Sequence, residues 1–200
     1  MADFFADLFA GRPLMAILRG FDPDRTVAMA EHAWELGVTA VEVTVEVPSQ
    51  IESLRAAVAA AGPHGHLVGA GTVYTVEQVD AVRAAGAAFT VAPGHDPAVA
   101  AHSHRSGLPH LPGMSTPTEL QTALRAGHTW VKLFPASVLG TAHIRALRGP
   151  FPDVHLVATG GIDATNAQNF LTAGADVVAV GSALTDPAQL PALAALLSAP

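Results

Sequence analysis

The chain has 200 residues, of which 50% are hydrophobic and only 14% are charged, and its net charge is −7 at neutral pH. This composition excludes an intrinsically disordered chain, which has few apolar residues and a high net charge, and the acidic balance disfavours a nucleic-acid partner. Cysteine is absent, which excludes disulfides, thiolate zinc sites and a thiol nucleophile.

The length favours a single domain over residues 1–200. No apolar run approaches the roughly 18 to 20 residues of a membrane span. The first residues, MADFFADLFAGRP, have no basic start and carry two aspartates, unlike a secretory signal. We therefore expect a soluble, cytoplasmic protein whose partners are neither membranes nor nucleic acids.

Short apolar β-branched runs alternate with alanine-rich stretches of helical spacing, and glycine or proline separates the two. This alternation predicts repeated strand–helix units in a parallel sheet. After an extra N-terminal helix over residues 2–10, the predicted strands cover residues 15–19, 40–45, 67–72, 89–93, 109–113, 130–135, 155–160 and 177–181. The predicted helices begin near Asp24, Ser49, Val76, Pro97, Pro117, Thr141, Thr165 and Pro187.

Eight such units use the whole chain, and the strands are nearly continuous apolar runs, as expected when helices cover both faces of a sheet. The predicted fold is therefore an α/β protein of the (β/α)8 TIM-barrel type, near the lower end of the usual size. The extra helix could cap the bottom of the barrel. An open doubly wound sheet is the structural alternative.

Chemistry in such a barrel takes place at the carboxyl ends of the strands. Candidates occur there in most of the predicted strands, namely Arg19, Glu42, Thr44, Gly71, Thr72, Pro93, Gly113, Ser115, Lys132, Phe134, Thr159, Gly160, Gly161, Gly181 and Ser182. Each residue alone could belong to an ordinary turn. Their common placement predicts that they converge on one mouth.

Lys132 is the only lysine beside nine arginines, and it lies in the apolar run WVKLFP. Apolar burial disfavours a charged ammonium, and a free amine attacks a ketone or aldehyde to form a Schiff base. The iminium then withdraws electrons from the adjacent carbon–carbon bond, as aldol cleavage requires. The structural alternative is a lysine that snorkels or pairs with a buried carboxylate.

Glu42 interrupts the apolar run AVEVTV, and strand alternation places Glu42 and Thr44 on one face. A carboxylate there is costly unless it is paired or functional. The functional interpretation is a general acid/base that moves protons for Lys132. The alternative is a purely structural ion pair with that lysine.

Glycines follow the last two predicted strands, at Gly160, Gly161 and Gly181, and Ser182 comes next. Glycine lets backbone N–H groups approach an anion, and a helix start near residues 163–165 would favour negative charge. Loops after the seventh and eighth strands are the usual phosphate site of barrel enzymes. A Gly-Gly pair alone is most often a turn, so the prediction of a phosphate site depends on both segments.

Ten histidines raise the question of a metal site. His64 and His66, like His102 and His104, are two residues apart, a spacing that points the rings apart on a helix. The pattern His-Glu-x-x-His does not occur. We therefore expect no metal ligands among them.

In their order and spacing, several segments resemble the class I 2-keto-3-deoxy-6-phosphogluconate / 4-hydroxy-2-oxoglutarate aldolases, which include 2-keto-3-deoxy-6-phosphogalactonate aldolases. The resemblance covers about residues 13–184. The matching segments are AILRG at 16–20, VEVT at 41–44, GAGTV at 69–73, APG at 92–94, PGMSTPTE at 112–119, VKLFPA at 131–136, TGGI at 159–162 and GS at 181–182.

The resemblance implies a (β/α)8 barrel, a homotrimer, and a lyase that needs neither metal nor cofactor. It gives Lys132 the role of the Schiff-base lysine and Glu42 that of the acid/base. The remaining positions it implies are Thr72, Pro93 and Phe134 around the pyruvate end, Gly160, Gly161, Gly181 and Ser182 around the phosphate, and Arg19 as a contact for substrate anions.

Glu46 departs from the family pattern, because several members carry an arginine there that binds the substrate carboxylate. A second carboxylate at the mouth would repel an acidic substrate. Three explanations follow. Glu46 turns to solvent, the carboxylate is held by Arg19 and backbone amides, or the preferred substrate differs.

The implied reaction is cleavage of a 2-keto-3-deoxy-6-phospho sugar acid to pyruvate and glyceraldehyde 3-phosphate. The alternatives are 4-hydroxy-2-oxoglutarate cleavage as the main activity, a sugar-phosphate epimerase or isomerase without a covalent intermediate, and a barrel that only binds an anionic metabolite. The residues alone do not separate the gluconate from the galactonate epimer.

Overall fold

The computed structural model describes residues 4–197, in which nine parallel strands alternate with helices. The strands are β1 (Leu14–Leu18), β2 (Ala40–Thr44), β3 (Leu67–Gly71), β4 (Thr90–Val91), β5 (His110–Leu111), β6 (Gly113–Met114), β7 (Trp130–Leu133), β8 (His155–Thr159) and β9 (Val177–Val180).

The helices lie between and after these strands. They are α1 (Phe4–Phe9), α2 (Pro23–Glu35), α3 (Gln50–Ala61), α4 (Val76–Ala84), α5 (Pro97–Arg105), α6 (Pro117–Arg125), α7 (Ala136–Arg148), α8 (Ala167–Thr172) and α9 (Leu190–Leu197), with short 3₁₀ helices at Gly62–His64 and Ser182–Thr185.

The sheet is a nearly closed barrel with the strand order β5-β4-β3-β2-β1-β9-β8-β7-β6. Its first and last members, β5 and β6, are the two halves of the predicted fifth strand, divided at Pro112. Proline has no backbone N–H and so cannot donate a hydrogen bond to a neighbouring strand. The Pro112 carbonyl still accepts a hydrogen bond from the Lys132 N–H on β7, at 2.8 Å. The barrel prediction is confirmed, with one strand divided where proline interrupts the pairing.

Side chains alternate between two buried layers along the strands. On β1, Met15 and Ile17 belong to the core inside the barrel, whereas Leu14 and Leu18 pack with the surrounding helices. The predicted extra helix is α1, although residues 2 and 3 of that prediction lie outside the described residues. The Phe9 ring lies 5.1 Å from that of Trp130 on β7, so α1 caps the amino-terminal end of the barrel.

Five predicted helix starts are within one residue of the observed ones, and in four of them, α2, α4, α5 and α6, the N-cap side chain accepts a hydrogen bond from the first turn. In α4, the Thr75 hydroxyl accepts from the Gln78 N–H and the Gln78 side chain accepts from the Thr75 N–H. The same reciprocal capping box joins Thr116 and Glu119 at α6, where Pro117 is the first helical residue.

Three predicted helix starts are displaced. The one near Thr141 lies inside α7, which begins at Ala136 and is broken at Gly140, where φ is 76° and ψ is 166°. The start near Thr165 moves to Ala167 in α8. The start near Pro187 moves to Leu190, because the 3₁₀ helix Ser182–Thr185 follows β9 first.

Within the part of the chain that the structure describes, no helix combines the length and apolarity needed to cross a lipid bilayer.

Four histidines pack together near β5, on the side of the strand that faces the helices. The rings of His95, His104 and His110 have their centroids 5.4, 5.2 and 6.0 Å from that of His128. Burial, with a further contribution from the neighbouring imidazoles, lowers the pKa of His110 to about 3 and that of His128 to about 4. Both side chains are therefore neutral at physiological pH.

We expect this cluster to make stability depend on pH. Histidine in the unfolded chain titrates near pH 6.5, so as the pH falls below that value the unfolded state binds protons that the folded state cannot bind. The stabilisation is complete above about pH 6.5 and is lost as the pH falls toward 4. Differential scanning calorimetry should show Tm falling from about pH 7 to about pH 4.5.

The matched variant is His110→Asn, whose amide can replace the hydrogen bond that joins His110 Nδ1 and Thr90 Oγ1 at 2.8 Å. It should lower Tm near pH 7 but reduce the loss of Tm on acidification. An equally steep loss in the variant would contradict the role of the cluster.

Candidate active site

Lys132 on β7 and Glu42 on β2 point into the barrel and meet there. Lys132 Nζ lies 4.0 Å from Glu42 Oε1, and the two side chains are 5% and 0% exposed. Among residues 4–197, neither carboxylate oxygen of Glu42 has a hydrogen-bond partner. Lys132 Nζ is also 5.5 Å from the centroid of the Phe134 ring. The two residues are thus neighbours, as predicted, at a distance longer than a hydrogen bond.

This geometry differs from that of a structural salt bridge. A buried ion pair repays its desolvation only when its geometry is good and further hydrogen bonds satisfy the remaining polar atoms. The pair formed by Lys132 and Glu42 has neither property. The Glu42 carboxylate is therefore not held to the Lys132 amine by a hydrogen bond.

Gly71 provides the space that Glu42 occupies. It lies on β3, beside β2, with Thr44 as its pairing partner. A Cβ at residue 71 would overlap the carboxylate of Glu42. Any larger residue at position 71 would therefore displace Glu42. This accounts for a glycine in β3, although glycine is normally disfavoured inside strands.

A cavity of about 630 Å³ opens at the carboxyl ends of the strands and has Lys132 in its wall. This volume suits a small metabolite. Eight predicted strand-end residues line it, namely Arg19, Lys132, Phe134, Thr159, Gly160, Gly161, Gly181 and Ser182, whereas Glu42 lies behind Lys132 and is not among the lining residues. The mouth predicted from the strand ends is therefore present in the structure.

Other residues that line the cavity were not predicted. They are Ile17, Phe21, Arg25, Ile162, Ala179 and Thr185. Arg25 lies in the first turn of α2, so a search restricted to strand ends could not find it.

Gly160 and Gly161 form one wall of the cavity and both have positive φ, 98° and 69°. A Cβ on Gly160 would lie 3.1 Å from the Phe134 ring, and a Cβ on Gly161 would overlap the Ser137 hydroxyl. The Gly160 carbonyl accepts from the Ser137 N–H at 3.0 Å, and the Gly161 carbonyl accepts from Asn166 Nδ2 at 2.9 Å. The loop is thereby fixed with its backbone close to the space that a ligand would fill, as a phosphate site requires.

Arg19 forms an ion pair with Glu46 at the rim of the cavity. Glu46 Oε1 also accepts from the Thr72 hydroxyl at 3.4 Å. The carboxylate that departs from the family pattern is thus tied to Arg19 rather than turned freely to solvent. Thr72 lies behind this pair and does not line the cavity of Lys132. Pro93 lines a separate cavity of about 310 Å³ next to His95 and His110.

No three His, Asp or Glu side chains within residues 4–197 lie close enough together to hold a metal ion. The chemistry that this site offers comes from an amine, a carboxylate and backbone N–H groups. An amine in the wall of a pocket, with a carboxylate close by, can form and hydrolyse an imine with a keto acid.

Comparison with known proteins gives a consistent result. The family model described as "KDPG and KHG aldolase" matches residues 7–194, which confirms the resemblance drawn from the motifs. The 2-dehydro-3-deoxy-6-phosphogalactonate aldolase of Escherichia coli strain K12 is 38% identical over 173 residues, which are 86% of this chain and 84% of that protein.

A second relative is the 2-dehydro-3-deoxy-phosphogluconate aldolase of Treponema pallidum, 46% identical over 124 residues, which are 62% of this chain and 59% of that protein. Among solved structures, KDPG aldolase from Legionella pneumophila, with pyruvate captured as a covalent carbinolamine, aligns with a TM-score of 0.82 and 28% identity. That alignment covers 95% of this chain and 94% of that one.

Proposed function

Because this chain belongs to the KDPG and KHG aldolase family, we propose that it cleaves a 2-keto-3-deoxy-6-phospho sugar acid to pyruvate and glyceraldehyde 3-phosphate through a Schiff base at Lys132. Membership makes it a class I aldolase, a carbon–carbon lyase. In the proposal, residues 1–200 form one aldolase domain. The observation that carries the mechanism is the buried Lys132 amine, 4.0 Å from a Glu42 carboxylate that has no hydrogen-bond partner among the described residues.

Binding places the two ends of the substrate at different parts of the cavity. The phosphate lies against Gly160, Gly161, Gly181 and Ser182, where N–H groups of a glycine-rich loop can surround an anion. The keto acid end lies at Lys132 and Phe134. The cavity of about 630 Å³ has room for both ends.

Covalent catalysis begins with transfer of a proton from the Lys132 ammonium to Glu42. The free amine attacks C2 of the substrate, and the carbinolamine loses water when Glu42 protonates the departing hydroxyl. The iminium left on Lys132 is an electron sink next to the bond that must break.

Cleavage and release use the same carboxylate three more times. Glu42 takes the C4 hydroxyl proton, the C3–C4 electron pair moves into the iminium, and the aldehyde leaves an enamine on Lys132. Glu42 returns its proton to C3. It then acts as a base for the water that hydrolyses the imine and releases pyruvate.

Two measurements test this function. Pyruvate release should be compared for the two epimeric phosphorylated acids and 4-hydroxy-2-oxoglutarate, which identifies the preferred substrate within the family. Borohydride added with pyruvate should trap a covalent adduct. An active enzyme that forms no such adduct would instead be an epimerase or isomerase, and binding without turnover would indicate a barrel that only holds its ligand.

The charge of Glu46 provides a prediction about substrate affinity. Removing one negative charge from the cavity rim should favour an anionic keto acid, so Glu46→Gln should lower KM by about 2- to 5-fold at low salt and leave kcat unchanged. Steady-state kinetics at two salt concentrations measures both values.

The control is Glu35→Gln, an exposed residue at the carboxyl end of α2 that does not line the cavity, and it should change neither KM nor kcat. A higher KM in Glu46→Gln would show instead that Glu46 is needed to hold Arg19 in place for the substrate carboxylate.

We also propose that the protein is a cytoplasmic homotrimer, as the family resemblance implies. The exposed apolar side chains Val47, Tyr74 and Val138, which are 49%, 54% and 80% exposed in the single chain, are available for contacts with further copies. Light scattering of the purified protein should give the mass of three chains. A monomer at all concentrations would contradict this assembly.

A further inference from the structure

Arg25 brings a positive charge into the cavity from a helix rather than from a strand end. It lies in the first turn of α2, where its backbone N–H donates to the Asp22 side chain at 2.8 Å. Its guanidinium lies over the ring of Phe21, 4.6 Å from the centroid. Arg25 and Phe21 line the same cavity as Lys132.

The position of Arg25 places it at the phosphate end of that cavity. The 3₁₀ helix Ser182–Thr185, which begins with a predicted phosphate contact, packs against α2. Thr185 at its end lines the cavity together with Arg25, Gly160 and Gly161. Arg25 therefore lines the cavity on the side where α2 packs against this 3₁₀ helix.

Two arginines line the cavity, and they differ in charge compensation. Arg19 is ion-paired with Glu46. Arg25 has no ion pair among the described residues, since the nearby Asp22 carboxylate is engaged as the cap of α2. Asp24 lies next to it in sequence and also makes no ion pair within residues 4–197. Of the two arginines that line the cavity, Arg25 is therefore the one without an ion pair among residues 4–197.

We propose, on the basis of the proposed function, that Arg25 binds the substrate phosphate and makes the enzyme selective for phosphorylated over unphosphorylated substrates. A guanidinium offers parallel N–H donors that match phosphate oxygens. Backbone N–H groups supply only dipoles, and a full positive charge close by strengthens the binding of a phosphate with nearly two negative charges. Stacking on Phe21 holds the guanidinium in place, so less side-chain freedom is lost on binding.

Binding of glycerol 3-phosphate, measured by isothermal titration calorimetry, tests this role without any catalytic step. Arg25→Gln should raise Kd by about 10-fold or more, because a charge-assisted contact is lost. Arg25→Lys should give an intermediate Kd, since lysine keeps the positive charge but lacks the two parallel N–H donors of the guanidinium. An unchanged Kd in Arg25→Gln would overturn the proposal.

The matched control is Arg83→Gln. Arg83 is exposed in the last turn of α4 and does not line the cavity. The Kd of Arg83→Gln for glycerol 3-phosphate should equal that of the wild type. Because Arg25 is exposed, both variants should fold, and circular dichroism verifies this.

Kinetics in the condensation direction test selectivity. Arg25→Gln should raise KM for glyceraldehyde 3-phosphate by about 10-fold, while KM for pyruvate and for unphosphorylated glyceraldehyde stays unchanged. Equal changes for both aldehydes would contradict a phosphate contact. If the proposed function itself is wrong, no pyruvate adduct should form. The effect of Arg25→Gln on the Kd for glycerol 3-phosphate would still be valid in that case.

Discussion

Replacing Lys132 with methionine should abolish cleavage, with kcat falling on the order of 10,000-fold or to the detection limit. Methionine has a similar volume and no amine, so neither carbinolamine nor iminium can form and the C3–C4 electrons have no acceptor. A coupled assay for pyruvate measures the loss. Turnover near that of the wild type would exclude Schiff-base catalysis.

The same variant should remain folded but become less stable. Removing one partner of a buried ion pair leaves the other charge uncompensated, and Glu42 is fully buried in the barrel. The double variant Lys132→Met with Glu42→Gln removes both charges and should regain thermal stability without regaining activity. This pair of variants separates the loss of chemistry from a loss of fold.

Replacing Glu42 with glutamine should slow turnover by about 100- to 10,000-fold, the usual contribution of a general acid/base. Glutamine keeps the shape of the side chain but can neither take the C4 hydroxyl proton nor return one to the enamine. Lys132 is untouched, so borohydride should still trap pyruvate in this variant, although more slowly.

The outcome for Glu42→Gln distinguishes the two interpretations of this carboxylate. If Glu42 serves only as a structural counter-charge, the variant should lose stability and keep most of its turnover per folded molecule. If it moves protons, kcat should fall even where calorimetry shows a fully folded protein. Cleavage at the wild-type rate would contradict its catalytic role.

Much of the barrel could be predicted because local signals and tertiary contacts agree. Thr75 and Thr116 mark helix starts through reciprocal capping, and the structure has those helices at the predicted residues. Alternation along β2 predicted that Glu42 and Thr44 share one face of the strand, and the structure has Glu42 buried inside the barrel near Lys132. These features depend on neighbours within a few residues, which a sequence displays directly.

Features that depend on distant residues were missed. The break of the fifth strand at Pro112 and the early start of α7 before Gly140 follow from how the barrel closes around them. The ion pair of Arg19 with Glu46 joins the ends of two strands, and neither residue alone indicates it. Arg25 was missed because it enters the cavity from a helix.

The central claim is that Lys132 forms an imine with a keto acid inside the barrel. The most direct test is peptide mapping by mass spectrometry after incubation with pyruvate and borohydride. We expect one reduced pyruvate per chain, located on the peptide that contains Lys132, and none in Lys132→Met. An active wild-type enzyme that carries no adduct, or an adduct confined to the terminal amine, would contradict the account.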